Sequence, residues 1–546
     1  MGNCLLKGCP SLYLKKLILM KLQMPFCFCS TGFFKISSKI SETVDSRKIK
    51  HHIYTLLFLT LIWPINIQAS GPQAMEIHIG AAKTDITPPL PAATDGQMYL
   101  RVAKNVETPL TANVLVLDAR QGDQPGEASI LVSCDLVTIP TELRDLVRQS
   151  VAEQLPGLDT KKIIINATHT HTAGVVREGL YNIPEGVTQV NAFHTHITKQ
   201  VTDAIVKAWE SRQPGTVSWG LNYAKVAYNR RAVYEDASAR MYGKTDVPEF
   251  RKIEGYEDQS INSLFFWNKT GKLIAIGLNV ASPAQVVESR TTINADYWHP
   301  VRQSLQENFD EELVVVGWIG AAGDQTPRPM FNNLAESRML ELRNGNHKDN
   351  FLNQEPEFRT DEYLDEVARR IVTSVMDTYE TVKEDRYEKV VMNHVVKDFD
   401  LPMRLVTAEE NEDSKKMQDE ILNDPEMAEK YPRRIGWYGE VLERYETQKA
   451  NPQPMYPVEV HVFRIGDVVL CTNPFELFTE FGIQMKSRSK ALQTFVVQLV
   501  GPGTYVPTKE AVKGGHYSAV VQSSLVGPGG GQVLVDRTVE LINGLF

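Results

Sequence analysis

The chain has 546 residues, 42% of them hydrophobic and 23% charged, and carries a formal net charge of −9. That supplies ample material for a core and, by length alone, for about two to four domains. An acidic balance without a long basic run argues against a nucleic-acid partner, which would need a basic face.

Residues 1–47 hold Cys4, Cys9, Cys27 and Cys29 and show no clear periodicity. The opening MGNCLL has Leu6 where a myristoylation signal wants Ser or Thr. Lys48, Lys50, His51 and His52 precede a short apolar run, Ile53–Trp63, and small residues follow at Ala69–Ser70. This is the pattern of a secretory signal, and the run is too short for a comfortable membrane span. Residues 1–50 are therefore expected to be an extension upstream of the true start and 51–70 the signal. Residues 71–546 would then form the mature chain, secreted or periplasmic and without a transmembrane anchor. Only Cys134 and Cys471 would remain, each in an apolar strand-like run, as buried free thiols.

Ala81–Pro91 reads as an entry strand and a proline-stiffened loop. Asn113–Asp118 and Ser129–Leu136 read as buried strands, followed by an amphipathic helix over Thr141–Leu155 with Thr141 as its N-cap. Ile163–His171 is the next strand, so this region predicts a βαβ unit. Thr198–Ser211 predicts a helix and Thr216–Val226 a strand. The Arg-rich Asn229–Gly243 reads as a surface loop or a loop over a site. Ser263–Trp267 and Lys272–Ala281 form an expected hairpin around Asn268–Gly271. Tyr297–Phe309 is helical, Leu313–Ala322 a buried apolar run and Glu362–Val382 a long helix. Thr407–Ala450 is dense in Glu, Asp and Lys and predicts one or two solvated helices, a cap or insertion. A second hairpin, Pro457–Arg464 with Asp467–Thr472, turns at Ile465–Gly466. Helix Leu477–Arg488, strand Phe495–Val500 and a last helix, Gln532–Ile542, complete the chain. The fold class expected is α/β, one large mixed domain with a helical insertion.

Chemistry is expected at polar strand ends, because ligand sites in α/β sheets gather beyond the carboxyl ends of strands. The strongest is Ile163–Gly174, IIINATHTHTAG. In extended backbone His169 and His171 would point to one face, a start for a metal site or a proton-transfer pair. Other such ends carry Asp135, Asp324 with Thr326, Glu476 and Tyr505. Each also has a structural reading: Asp135 can cap a turn, GDQTP is a turn in its own right, and Glu476 can be the acid of a helix's first turn.

Together, DITPP (Asp85–Pro89), THTHTAG (Thr168–Gly174), Asn229–Arg230, GDQTP (Gly323–Pro327), NPFE (Asn473–Glu476) and the pair Tyr505 and Tyr517 resemble the catalytic domain of neutral/alkaline non-lysosomal ceramidases. The resemblance runs from about Ile77 to Ser518. It implies zinc, with His169, Glu476 and Tyr505 as ligands. It places His171 beside the metal as a donor to the reacting oxygen, with Arg230 and Tyr517 lining the site. It also brings Asp324 and Thr326 into the site, Asp324 orienting a histidine or the Thr326 hydroxyl. Two departures stand out. The second zinc histidine of the family is missing from Gly277–Glu288, where Ser282 or Pro283 stands in its place, with Asp296 and His299 as the nearest substitutes. The C-terminal Ig-like domain of the ceramidases is not expected in this chain.

The expected function is an exported metal-dependent hydrolase that cleaves an amide or ester in an N-acylated lipid or an acylated sugar. One alternative is a metal-independent lyase acting on an acidic glycan through Tyr, His and Arg. Another is a non-catalytic binding protein on the same scaffold.

Overall fold

The computed structural model describes residues 73–346, 351–353 and 355–546. The chain divides into two units, Met1–Ser70 and Gly71–Phe546. The extension and signal expected at 1–70 lie outside the described residues.

The strand Thr111–Gln121 shows what kind of sheet the second unit builds. Val114 and Val116 pack in one core, Leu115 and Leu117 in another. Successive side chains of a strand point to opposite faces, so a strand buried on both faces must be covered on both. Among the described residues it belongs to a nine-stranded sheet. The strands run in the order Val314–Ile319, Leu273–Val280, Ser260–Asn268, Gln213–Tyr223, Met75–Asp85, Thr111–Gln121, Gln124–Cys134 and Ile163–Ala167, with Lys389–Val390 against Met75–Asp85. Helices Thr141–Gln154 and Val190–Ser211 cover one end of its outer face, and Trp298–Asn308 and Asp361–Val382 the other. The inner face packs on a second, four-stranded sheet of Met392–Pro402, Met455–Ile465, Val468–Thr472 and Gln493–Val497. Helices Thr479–Arg488 and Pro528–Gly544 cover that sheet in turn. The layers run helix, sheet, sheet, helix, the mixed α/β class that the sequence predicts.

Several local expectations hold. Gln124–Cys134 and Ile163–Ala167 pair in parallel around helix Thr141–Gln154, a βαβ unit. Both hairpins form, Ser260–Asn268 with Leu273–Val280 and Met455–Ile465 with Val468–Thr472. Cys134 and Cys471 are buried and free.

Others are corrected. Pro140, not Thr141, is the N-cap of the first helix, and no side chain caps it. The entry strand begins earlier, at Met75, and lies inside the sheet, paired on both sides. The helix placed at Thr198 starts at Val190. Asn229–Gly243 is no surface loop, for Arg231–Tyr234 is the central strand of a three-stranded sheet with Ala239–Met241 and Phe250–Ile253. The Arg231 side chain is fully buried against Glu254 at 2.5 Å. A buried guanidinium needs a carboxylate and further acceptors, and the carbonyls of Ala511 and Gly515 provide them. Its polar composition therefore reports on partners rather than on solvent. The insertion holds three helices: Ala408–Leu422, opened by a Thr407–Glu410 capping box, then Pro425–Lys430 and Pro432–Ala450.

Candidate active site

The strand Ile163–Ala167 ends before either histidine, and His169 has a left-handed backbone with φ of 63°. Strand alternation therefore does not set the two imidazoles side by side, as the sequence suggested. The turn does so, bringing their Nε2 atoms within 3.2 Å. A left-handed conformation is uncommon outside glycine and asparagine, and here hydrogen bonds hold it. His169 Nδ1 donates to the Val137 carbonyl at 2.8 Å, and Thr170 N donates to the Leu136 carbonyl. Gly96 makes room on the other side, because a Cβ there would stand 2.5 Å from the His171 ring.

Glu476 lies at the end of Val468–Thr472, but not in a helix. It forms a two-residue parallel ladder in which Glu476 pairs with Tyr505 and Leu477 with Val506. That pairing sets the carboxylate and the phenol side by side. Gly323 allows its loop to pass close behind, where a Cβ would sit 2.3 Å from the Glu476 carbonyl oxygen. Glu476 Oε2 is 3.3 Å from His169 Nε2. Burial opposes its charge, yet His169 and the Tyr505 hydroxyl hold its carboxyl below the usual range. Burial, reinforced by Glu476, pushes the Tyr505 phenol well up.

Arg230 is buried behind this cluster. Its Nη2 donates to the Gly323 carbonyl at 2.9 Å and to the Tyr505 hydroxyl at 3.2 Å. Its Nη1 donates to Tyr242 at 3.1 Å and to Gln285 Oε1 at 3.2 Å. That last bond orients the Gln285 amide, so its nitrogen faces His171 Nε2 at 2.7 Å. An amide nitrogen only donates, which makes His171 Nε2 an acceptor and leaves its hydrogen on Nδ1, 3.7 Å from Glu288. Burial first, then His169 and nearby arginines, lower the His171 pKa well below that of a free imidazole. The ring is therefore neutral.

His169 Nε2 thus stands 3.2 Å from His171 Nε2 and 3.3 Å from Glu476 Oε2, a close group of nitrogen and oxygen ligand atoms. Such a set favours a cation. Two ligands on a tetrahedral zinc-type ion, each about 2.1 Å from it, stand about 3.4 Å apart. The 3.3 Å between His169 Nε2 and Glu476 Oε2 matches that spacing. Among the described residues no group of three or more His, Cys, Asp or Glu side chains makes a metal site. Of the ligands that the resemblance implies, His169 and Glu476 stand together here, and the Tyr505 phenol is paired to Glu476.

None of the expected substitutes for the missing histidine reaches this cluster. The Ser282 carbonyl accepts from Tyr297 Oη at 2.6 Å. The Asp296 oxygens accept from the Val287 and Tyr297 amides at 2.9 and 2.8 Å. His299 lines a separate cleft with Glu107 and Asn294. The residue of this stretch that meets the histidines is Gln285. Its type has no metal-binding signal, so sequence reasoning passed over it.

Asp324 and Thr326 sit behind the site. Asp324 does not orient a histidine or Thr326. It accepts from Asn229 Nδ2 at 2.7 Å and from the Thr479 amide and hydroxyl at 2.9 and 2.8 Å. It thereby ties the Arg230 segment to the start of a helix. Thr326 is fully buried, pairs with Tyr228 and accepts from the Arg328 amide at 3.3 Å. Both are positioning residues. Asp135 is likewise structural, held by Arg302 at 2.7 and 2.9 Å.

The histidines, Glu476, Tyr505 and Tyr517 open onto a cavity of about 360 Å³. The Tyr517 ring makes an edge contact with Tyr505, with centroids 5.8 Å apart. One wall of the cavity belongs to the insertion, which contributes Arg433, Trp437 and Glu440. Arg433 Nη1 donates to Asp95 Oδ1 at 3.1 Å, the Gln97 carbonyl at 2.8 Å and Tyr181 Oη at 2.8 Å. Burial opposes the Asp95 charge, but Arg177 and Arg433 bring its pKa down to about 2. Asp95, Arg433 and Trp437 carry no sequence motif, and only their meeting at the cavity marks them.

The fold has solved counterparts. Neutral ceramidase from Pseudomonas aeruginosa superposes with a TM-score of 0.61 at 15% identity, over 86% of this chain and 74% of that one. A structure described as ceramidase complexed with C2 gives 0.60 at 14%, over 86% and 75%. No family model matches the chain, and no curated protein sequence does. The chain has the neutral ceramidase fold, in agreement with the motif resemblance.

Proposed function

We propose that the chain is a hydrolase of an acylated substrate, acting on an amide or ester bond, with a zinc-type cation held by His169, Glu476 and Tyr505. The observation that carries this reading is the position of His169 Nε2, 3.2 Å from His171 Nε2 and 3.3 Å from Glu476 Oε2. Likeness to ceramidases adds that the bond is an amide of an N-acyl compound. A bound cation of this type would bring water toward ionisation at neutral pH and polarise a carbonyl.

The protein's own groups do the rest. His171, whose Nε2 lies 3.2 Å from His169 Nε2, would take a proton from the attacking water and return it to the leaving nitrogen once the Gln285 amide releases the Nε2 lone pair. Gln285 holds the ring in that tautomer. The Tyr517 hydroxyl would donate to the developing oxyanion. Arg230 fixes Tyr505 and Gln285 and gives the oxyanion a positive neighbour. Asp324 keeps the Arg230 segment in register.

Metal analysis of the purified chain, paired with turnover before and after chelation, tests the proposal. About one zinc-type ion per chain is expected, with activity lost on chelation and restored by metal. His169→Ala and Glu476→Gln should lose both metal and turnover. Full turnover by a metal-free preparation would overturn the mechanism.

A further inference from the structure

The wall that the insertion contributes is unlike the core of the cavity. Helix Pro432–Ala450 presents Arg433, Gly436, Trp437 and Glu440, at positions i, i+3, i+4 and i+7, so one helical face looks inward. The helix is firmly seated. Arg433 is fixed through Nη1, and Arg444 donates to the carbonyls of Arg404, Val521 and Ser524.

Yet its inward face keeps polar groups unpaired. Among the described residues the Trp437 indole nitrogen and the Glu440 carboxylate make no protein hydrogen bond, and Glu440 is exposed at the cavity wall. Arg177 Nε, on the same cavity, is buried without one. At Gly436 a Cβ would meet nothing within 4 Å, so the helix backbone is bare toward open space. Trp437 leans on the Tyr517 ring, centroids 5.8 Å apart, which ties this face to the catalytic cluster.

Donors, an acceptor and an aromatic plate around a bare backbone suit a ring with hydroxyls on its edge and C–H groups on its face. A long apolar chain would bury those charges without compensation. Arg177 and Arg433 already face Asp95, and Glu178 and Glu440 add negative charge on the wall, which disfavours an acidic ligand. Leu499, Pro502 and Leu525, from outside the insertion, supply apolar surface for a short acyl group. The volume lies near the lower end of the roughly 300–1,000 Å³ of small-molecule sites.

We infer that the face Arg433–Gly436–Trp437–Glu440 is a sugar subsite, and that the substrate is a neutral N-acyl amino sugar with a short acyl group. This rests on the hydrolase reading above. In the reaction the oxygen of water bonds to the acyl carbon, the carbon–nitrogen bond breaks and the nitrogen takes up a proton. The products are a carboxylate and a free amino sugar.

The test uses the full chain with three acetyl compounds: N-acetylglucosamine and its short oligomers, N-acetylsphingosine in detergent, and 4-nitrophenyl acetate. Acetate release is measured for each. The two amides share an acyl group, so their difference reports on the amine side alone. Preference for the sugar is expected, with KM for it raised at least about tenfold in Trp437→Ala and Glu440→Gln, and kcat changed far less. Cleavage of N-acetylsphingosine in preference to the sugar, with both variants silent, would overturn the subsite and leave the hydrolase standing. If none of the three is cleaved, the hydrolase reading fails, and the subsite is judged by saturation-transfer NMR on the oligomers. A signal lost in Trp437→Ala then supports it, and no signal overturns it.

Discussion

Gln285 does what the missing imidazole cannot. It joins Arg230 to His171 through one amide, with both ends committed. Gln285→Leu keeps most of the volume but leaves a buried guanidinium hydrogen and the His171 lone pair unpaired, at about 1–3 kcal/mol each. We expect kcat/KM to fall about 10–100-fold with a small drop in melting temperature. Steady-state kinetics and a thermal melt on the same preparation check this. Arg230→Lys should cost at least about tenfold in kcat/KM, because an ammonium cannot span the four acceptors that the planar fork reaches. Unchanged kinetics in Arg230→Lys would show that the fork geometry does not matter. At this scale the sequence was partly legible. His169, His171 and Glu476 could be picked out because their side chains have few common structural uses at a strand end. Gln285 could not, since an amide gains meaning only from what stands on either side of it.

The insertion is a set of largely solvated helices, as its composition suggested, with a few side chains that reach the core. Its helix Pro432–Ala450 carries Arg433 into a pocket where Asp95 is fully buried. Removing one partner of a buried ion pair costs about 3–5 kcal/mol, mostly for the charge left behind. Arg433→Ala is therefore expected to lower the melting temperature and to open the 408–450 helices to limited proteolysis. Arg177→Ala should do less, since its contact with Asp95 is longer, at 3.4 Å. Equal protease resistance in wild type and Arg433→Ala would show that the insertion does not hang on this contact. The charge density of the segment was plain in the sequence. The partner of one particular arginine, more than three hundred residues away, was not.

Across the whole molecule, the seam between the two sheets holds a buried polar chain. Ser129 Oγ lies 2.9 Å from His394 Nδ1, His394 Nε2 lies 3.0 Å from His461 Nδ1, and His461 Nε2 lies 3.1 Å from Glu459. Glu127, Lys162, Arg144 and Arg148 surround it. Burial lowers the pKa of His394 well below the usual value and lowers that of His461. Glu459 is held below the ordinary carboxylate range by His461 and Arg148, against burial. In all three the folded pKa is depressed, so the unfolded chain binds more protons at acid pH. Stability is then present above the unfolded values and is lost as pH falls, first through about 6.5 for the histidines and then through about 4.3 for the glutamate. Melting temperatures between pH 8 and pH 4 should decline along that course, and His461→Gln should flatten the upper part. A melting temperature that stays level from pH 7 to pH 5 would contradict it. On the same scale, export predicts that the natural mature chain begins near residue 70, which N-terminal sequencing would show. Recovery of a mature chain that retains Cys4 would refute export.

Patterns read within a dozen residues could be recognised from the sequence alone: the βαβ unit that leads to the histidines, both hairpins, the buried thiols and the charged insertion. Each rests on alternation, helical spacing or local turn chemistry, which neighbouring residues settle among themselves. Only the tertiary structure decided how those pieces meet. The parallel register of Glu476 against Tyr505 makes two distant residues a donor pair. A left-handed turn, rather than strand alternation, aims His169. Gln285, and not Ser282, Asp296 or His299, closes the side where an imidazole is missing. These are long-range contacts between segments whose own sequences are satisfied either way, so the packing of the two sheets and the seating of the insertion select among them.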